Sequence, residues 1–330
     1  MNKAPATAQR AEASWLARLP PGLFAIPFGL IALAGAWQRL VLVGITIGNP
    51  VSLYMFAIAF AMFMLLVVLW LAKLVLYFKS ARLQWQHPVQ GALLALAPMT
   101  LLLAIATTAP IVPGLVEIWL ALTVASLLLA FAMAWRLVAS VSGGALPSEL
   151  VTPALYLPAL GSAFVGALSL NALGFPGFAA LLAGVGGGAW FLLETRVLRR
   201  LFAAPMAPAL RSTIGIEISP AALGSLLVAT LWPGLPVEVV LLCVGIACVP
   251  LLAVLSRWRC WTAVPFSLGF WSFSFPLAAL ASAIVEAVRR GDWPPEVALA
   301  AVLMVSLVVA FLSARTLLLL ASGRWLPTTQ

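Results

Sequence analysis

Long apolar runs separated by short polar, glycine- or proline-rich breaks account for most of the chain. A helix rises 1.5 Å per residue, so about 20 mainly apolar residues cross the hydrocarbon core of a bilayer. Ten runs meet that length, over residues 20–38, 51–78, 89–109, 115–139, 152–173, 178–195, 212–232, 237–256, 262–288 and 296–320. The breaks include Gly48-Asn49-Pro50, Pro110 to Gly114, Gly143 to Pro147, Gly174 to Gly177, Pro233 to Pro236 and Gly291 to Pro295, all residue types that interrupt helices. A polar leader, residues 1–19, carries Lys3, Arg10, Glu12 and Arg18, and no small-residue cleavage site follows before the second run. The first run therefore predicts a membrane helix rather than a removed signal peptide. Residues 1–330 read as a single transmembrane domain, with the ten helices within 20–320 and a short tail over 321–330.

The cations orient these helices. Loops facing the cytoplasm carry an excess of Lys and Arg. With the leader inside, that side receives Lys3, Arg10, Arg18, Lys73, Lys79, Arg82, Arg136, Arg196, Arg199, Arg200, Arg211, Arg257, Arg259, Arg315 and Arg324, while the other receives only Arg39, Arg289 and Arg290. A wrong number of spans would scramble this alternation. The expectation is ten spans, both termini cytoplasmic, in the cell's inner (plasma) membrane. Trp37, Trp85, Trp232 and Trp293 stand near run ends, as aromatic belts at the bilayer interface would.

A second regularity distinguishes the odd-numbered runs. Each has a proline several residues in from its cytoplasmic end: Pro27, Pro98, Pro158, Pro220 and Pro276, with Gly29, Thr100, Gly161, Gly224 and Ala279 close behind. The prolines are 71, 60, 62 and 56 residues apart, about one helical hairpin each. Proline removes a backbone hydrogen bond and kinks a helix, which a bilayer tolerates where other helices or a wet cavity satisfy the freed groups. Five kinked helices with prolines at similar depth are placed to line one axis, with the other five outside them. Pro250 in the eighth run shows that an even helix also holds one.

Composition narrows the function classes. Only 8% of residues are charged and 64% are hydrophobic, too few charges to cover a water-soluble surface. The net charge of +9 is spread through loops rather than gathered into a nucleic-acid-binding patch. Cys243, Cys248 and Cys260 make neither a disulfide framework nor a metal site. His87 is the one histidine, set before Pro88 at the start of a helix, and no paired carboxylates or nucleophile–base pattern supports an enzyme. No cofactor is expected. Glu217 stands out, roughly 8 Å into the seventh run, because a carboxylate within a membrane is a functional candidate by default. Snorkelling or a structural ion pair is its plainer reading. Glu194 and Arg196, at the end of the sixth run, are similarly suited to structural pairing.

Five segments on the odd runs carry a resemblance: PPGLFAIPFGLIALAGAW from Pro20, HPVQGALLALAPMT from His87, TPALYLPALGSAF from Thr152, RSTIGIEISPAAL from Arg211 and FWSFSFPLAALASA from Phe270. Together they make the chain resemble the tellurite-resistance/dicarboxylate transporter family, which takes in TehA-type channels, plant slow-type anion channels, and fungal malate and sulfite transporters. The resemblance implies a pseudo-fivefold bundle of five helical hairpins, usually trimeric, in which the odd helices of each protomer line a pore for small inorganic or organic anions. It also implies a phenylalanine plug from the ninth helix, here Phe275 in WSFSFP. TehA-type members commonly read glycine where this chain has Pro276, and plant relatives read proline.

An anion path of this kind has no arginine ring, since no Lys or Arg lies in the middle of an odd run. Conduction requires weak binding, so basic loops at the mouth, helix dipoles and hydroxyls such as Ser162, Ser219, Ser274 and Ser282 are the candidate anion-stabilising groups. Each hydroxyl is equally suited to bond back to its own helix. Selectivity by dehydration cost predicts nitrate ahead of chloride. The alternative within the same fold is a proton-coupled dicarboxylate or sulfite carrier using Glu217.

Overall fold

The computed structural model describes residues 14–142 and 146–323. The expected leader and tail lie largely outside these, as does part of the Gly143 to Pro147 break. Among the described residues the chain is helical throughout. Ten helices are long and apolar enough to cross a membrane: spans 1 to 10 run Pro21–Val43, Gly48–Leu76, Pro88–Thr108, Pro113–Ala139, Pro153–Ala172, Pro176–Ala203, Pro208–Leu231, Val237–Ser256, Leu268–Gly291 and Pro295–Ala321. The apolar runs mark these spans in order. Span 6 continues two turns beyond its expected end at 195, through basic residues that the apolar pattern excludes. Span 9 begins six residues later than 262.

Turn chemistry ends the spans. Gly44 and Gly174 follow spans 1 and 5 with φ of 86° and 85°, a conformation glycine adopts without a Cβ penalty. Asp292, at φ 51°, does the same after span 9, as short polar side chains tolerate.

Burial separates the spans into two sets. The most apolar window of each odd span is 56–94% buried, against 11–28% for the even spans. Spans 1, 3, 5, 7 and 9 contact one another in that order, and span 9 returns to span 1, so the inner set closes on itself. Each even span packs most heavily on the odd span before it, touches the odd span after it as well, and is largely exposed elsewhere. The even spans are therefore apolar all round, as lipid-exposed helices must be.

One charged residue departs from that division. Lys73, in span 2, is fully buried and donates to the Leu19 carbonyl oxygen at 2.8 Å and to Gln84 Oε1. It ties the start of span 1 to the amphipathic helix Phe78–Gln86. Trp37, near the end of span 1, is buried, and its Nε1–H donates to Ser306 Oγ of span 10 at 3.1 Å. A buried indole N–H needs such an acceptor.

Candidate functional site

The N-terminal ends of all five odd spans surround one cavity, of about 810 Å³. Their C-terminal halves surround a second, of about 200 Å³. The odd spans thus run parallel. The wider cavity lies at the end of the bundle that holds most of the cations, hereafter the basic end. The narrower lies toward the far end, with Arg39, Arg289 and Arg290. No described residue lining the wider cavity is a Lys, Arg, Asp or Glu; its polar groups are His87, Gln90, Thr213 and serines including Ser212 and Ser219.

Among the described residues Phe275 alone lines both cavities. Its ring stacks on Phe28 of span 1, with centroids 4.2 Å apart and planes at 24°. Both rings are buried. Such pairs are worth about 0.5–1.5 kcal/mol beyond their buried area.

Local structure sets that ring. Span 9 begins as a 3-10 helix, Leu268–Phe273, and becomes α-helical at Ser274. Ser274 Oγ donates to the Trp271 carbonyl oxygen at 2.6 Å, and Trp271 Nε1 donates to Thr316 Oγ1 of span 10 at 2.9 Å. Pro276 is the third residue of the α segment, where the missing N–H has no intrahelical partner to lose. Opposite stands Gly29, where an added Cβ would overlap Ser274 Oγ. The other prolines hold related positions. Pro27 and Pro98 are third in the α segments Ala25–Arg39 and Leu96–Thr108, Pro220 is second in Ser219–Leu231, and Pro158 is second in a π-helical turn, Leu157–Gly161.

Span 7 opens with an eleven-residue 3-10 segment, Pro208–Ile218. Runs beyond three or four residues are uncommon. Residues three apart eclipse in a 3-10 helix, so Ser212 and Gly215 form one small-residue stripe, and Gly269 and Ser272 form another on span 9. The stripes meet: Ser272 Oγ donates to the Ser212 carbonyl oxygen at 2.9 Å, Ser267 Oγ donates to Ser212 Oγ at 2.9 Å, and a Cβ at Gly215 would lie 2.7 Å from Ser272 Oγ.

The candidate polar residues fall in different places. Ser219 lines the wider cavity and Ser282 the narrower, whereas Ser162, Ser274 and Glu217 line neither. Ser162 and Ser282 donate to the carbonyl oxygens of Leu157 (3.1 Å) and Ala278 (2.8 Å) in their own helices. Glu217 is 6% exposed, with Oε2 unpartnered among the described residues. It lies close to Tyr156, whose hydroxyl donates to Glu194 Oε2 at 2.6 Å; Trp190 Nε1 donates to the same oxygen at 2.7 Å. His87 Nδ1 accepts the Gln90 N–H at 3.2 Å and so caps the Pro88–Leu93 helix.

Phe28, the paired 3-10 segments and Arg39 are features that sequence reasoning missed. Arg39 closes the α segment of span 1 and is the one charged side chain among the described lining of the narrower cavity. Its guanidinium donates to Glu286 Oε1 at 2.8 Å and to Thr230 Oγ1 at 3.3 Å. Arg289 meets the other Glu286 oxygen at 3.0 Å. Glu286 is 247 positions from Arg39 in sequence, so no spacing signals the pair. Phe28 is one of 17 phenylalanines with no local mark.

Two comparisons with known proteins agree. Residues 18–318 match the family SLAC1, described as voltage-dependent anion channel. The chain is 28% identical over 313 residues to the tellurite resistance protein TehA homolog of Haemophilus influenzae, covering 93% of this chain and 92% of that protein. With ten candidate membrane spans, a closed set of buried odd helices and two cavities on their common axis, this chain belongs to the SLAC1 family, whose members are anion channels or transporters and not enzymes.

Proposed function

We propose that the two cavities are the two halves of one anion-conducting path and that Phe275 closes it. The observation that carries this reading is the position of the Phe275 ring, common to both cavities and stacked on Phe28. A narrow apolar constriction blocks ions sterically and by excluding water. Opening requires the ring to leave Phe28. The 3-10 lead-in of span 9 is hydrogen-bonded to span 7 through Ser272 and to span 10 through Trp271, so rotation of the ring itself disturbs less than a shift of the span.

The lining fits weak binding. The wider cavity holds no fixed charge, so anions there keep most of their mobility, and the surrounding basic loops raise their local concentration. By the positive-inside rule we place the basic end in the cytoplasm, with the termini on that side of the plasma membrane. All five odd spans come from one chain, so a trimer of the kind the resemblance implies would carry one path per protomer. Small monoanions ordered by dehydration cost, nitrate ahead of chloride, are the substrates this lining favours.

The carrier alternative would have Glu217 exchange protons with the path. Glu217 lines neither cavity and lies close to Tyr156, near Glu194, which favours the channel. The test is anion flux into liposomes. Phe275→Ala raises nitrate and chloride flux above the parent protein, without dependence on a proton gradient. Unchanged flux in a folded variant, or flux that requires a proton gradient, overturns the reading.

A further inference from the structure

The narrower cavity differs from the wider one in holding a fixed charge. Arg39 reaches it from the end of span 1, with Thr107, Asn171, Thr230 and Ser282 around it and Phe275 at its head. A guanidinium has five N–H donors in a fixed fork. The bonds to Glu286 and Thr230 use two of them. The Asn171 side-chain amide has no hydrogen-bond partner among the described residues. The hydroxyl protons are committed elsewhere: Thr107, Thr230 and Ser282 each donate to a carbonyl oxygen of their own helix. The donors left free among these lining groups are thus those of Arg39 and Asn171; the fixed positive charge of Arg39 favours an anion, to which the Asn171 amide N–H can also donate.

Glu286 sets the strength of this site. It is not among the cavity's lining residues, its side chain is 7% exposed, and it is shared between Arg39 and Arg289. One carboxylate between two guanidinium groups leaves the cluster with a net charge of +1. An unpaired arginine in a confined cavity would hold an anion tightly, and conduction needs an anion that also leaves. Moving the carboxylate behind the wall weakens the attraction without putting negative charge in the path.

We propose that Arg39 and Asn171 form an anion-binding station for small monoanions on the far side of Phe275, with Glu286 attenuating it so that the anion is released. This rests on the pore reading given above. It predicts that Glu286 and Arg39 act with opposite sign on the same step.

The test uses Phe275→Ala in planar bilayers, with nitrate and then chloride raised on each side in turn. Saturation is expected from the Arg39 side, and the half-saturating concentration reports the station. Adding Glu286→Gln, which retains a hydrogen-bond acceptor, lowers that concentration by about tenfold and lowers the maximal current, since a full charge a few ångströms away is worth ~1.4 kcal/mol or more at intermediate dielectric. Arg39→Gln with Glu286→Gln removes both charges and raises the half-saturating concentration by a similar factor. Asn171→Leu, which leaves the ion cluster intact, raises it two- to threefold and guards against misfolding of the double variant. No current through Phe275→Ala itself overturns the pore reading and this proposal with it. Current that does not saturate, or Glu286→Gln and Asn171→Leu shifting saturation in the same direction, overturns the station while leaving the pore standing.

Discussion

Four of the five even spans are more apolar on a hydropathy scale than any odd span, span 6 excepted, and the two sets differ further in what their surfaces do. The odd spans are mostly buried against protein and carry serines, close-packed glycines and long 3-10 segments that let backbones approach closely. The even spans sit against the odd spans before and after them and leave most of their surface uncovered. In a bilayer, lipid is as apolar as leucine, so hydrophobicity does not decide which helices go inside; close packing and small residues do. The glycines show this directly. At Gly29 in span 1 a methyl group would collide with Ser274, whereas at Gly188 in span 6 there is nothing within 4 Å.

That comparison is open to breaking. The largest effect is expected at the centre of the odd set: Phe275→Ala raises anion flux about tenfold or more, since removing ~1.4 kcal/mol of barrier already gives tenfold. Liposome flux at matched protein density checks it. Next, Gly29→Ala forces span 1 away from Ser274 and costs about 1–3 kcal/mol by overpacking, read as a lowered Tm in detergent. Lys73→Met tests the even-span exception. It strands the Leu19 and Gln84 acceptors and costs about 1–3 kcal/mol, with the same Tm readout and little change in the flux of properly folded protein. Glu217→Gln leaves flux within about twofold, a change of ~0.4 kcal/mol in barrier, at pH 6 and pH 8 alike; a change in pH dependence would bring the carrier mechanism back. Smallest of all, Gly188→Ala shifts Tm little or slightly upward, because a lipid-facing alanine gains up to about 1 kcal/mol of helix propensity and meets no neighbour. A large loss there would show that span 6 is covered in the assembled protein.

Much of the site was visible from one direction only. Phe275 stands out because the segment around it resembles a family whose ninth helix supplies a plug. Its stacking partner does not, since Phe28 acts through a contact made by two helices far apart in sequence. The prolines were legible as a repeat, but their place in the first turn of an α segment (Pro27, Pro98, Pro220 and Pro276) or of a π turn (Pro158) depends on hydrogen bonding that no residue pattern reports. Ser162, Ser274 and Glu217 were candidates by residue type and depth, with bonding inside the protein as the alternative, and they line neither cavity. Depth along a helix is readable at 1.5 Å per residue, but the direction a side chain faces depends on where the neighbouring helix lies.

The sequence by itself determined the number of membrane spans, their order and the side on which the cations collect, because length, apolarity and charge act locally and one span at a time. Its proline repeat also pointed to the odd spans as the inner set. The tertiary structure decided that those spans close on one another, that Phe275 meets Phe28 between two cavities, and that Arg39 faces one cavity while Glu286 is held behind its wall. These are relations between helices, fixed by small-residue packing and by an ion pair 247 positions apart.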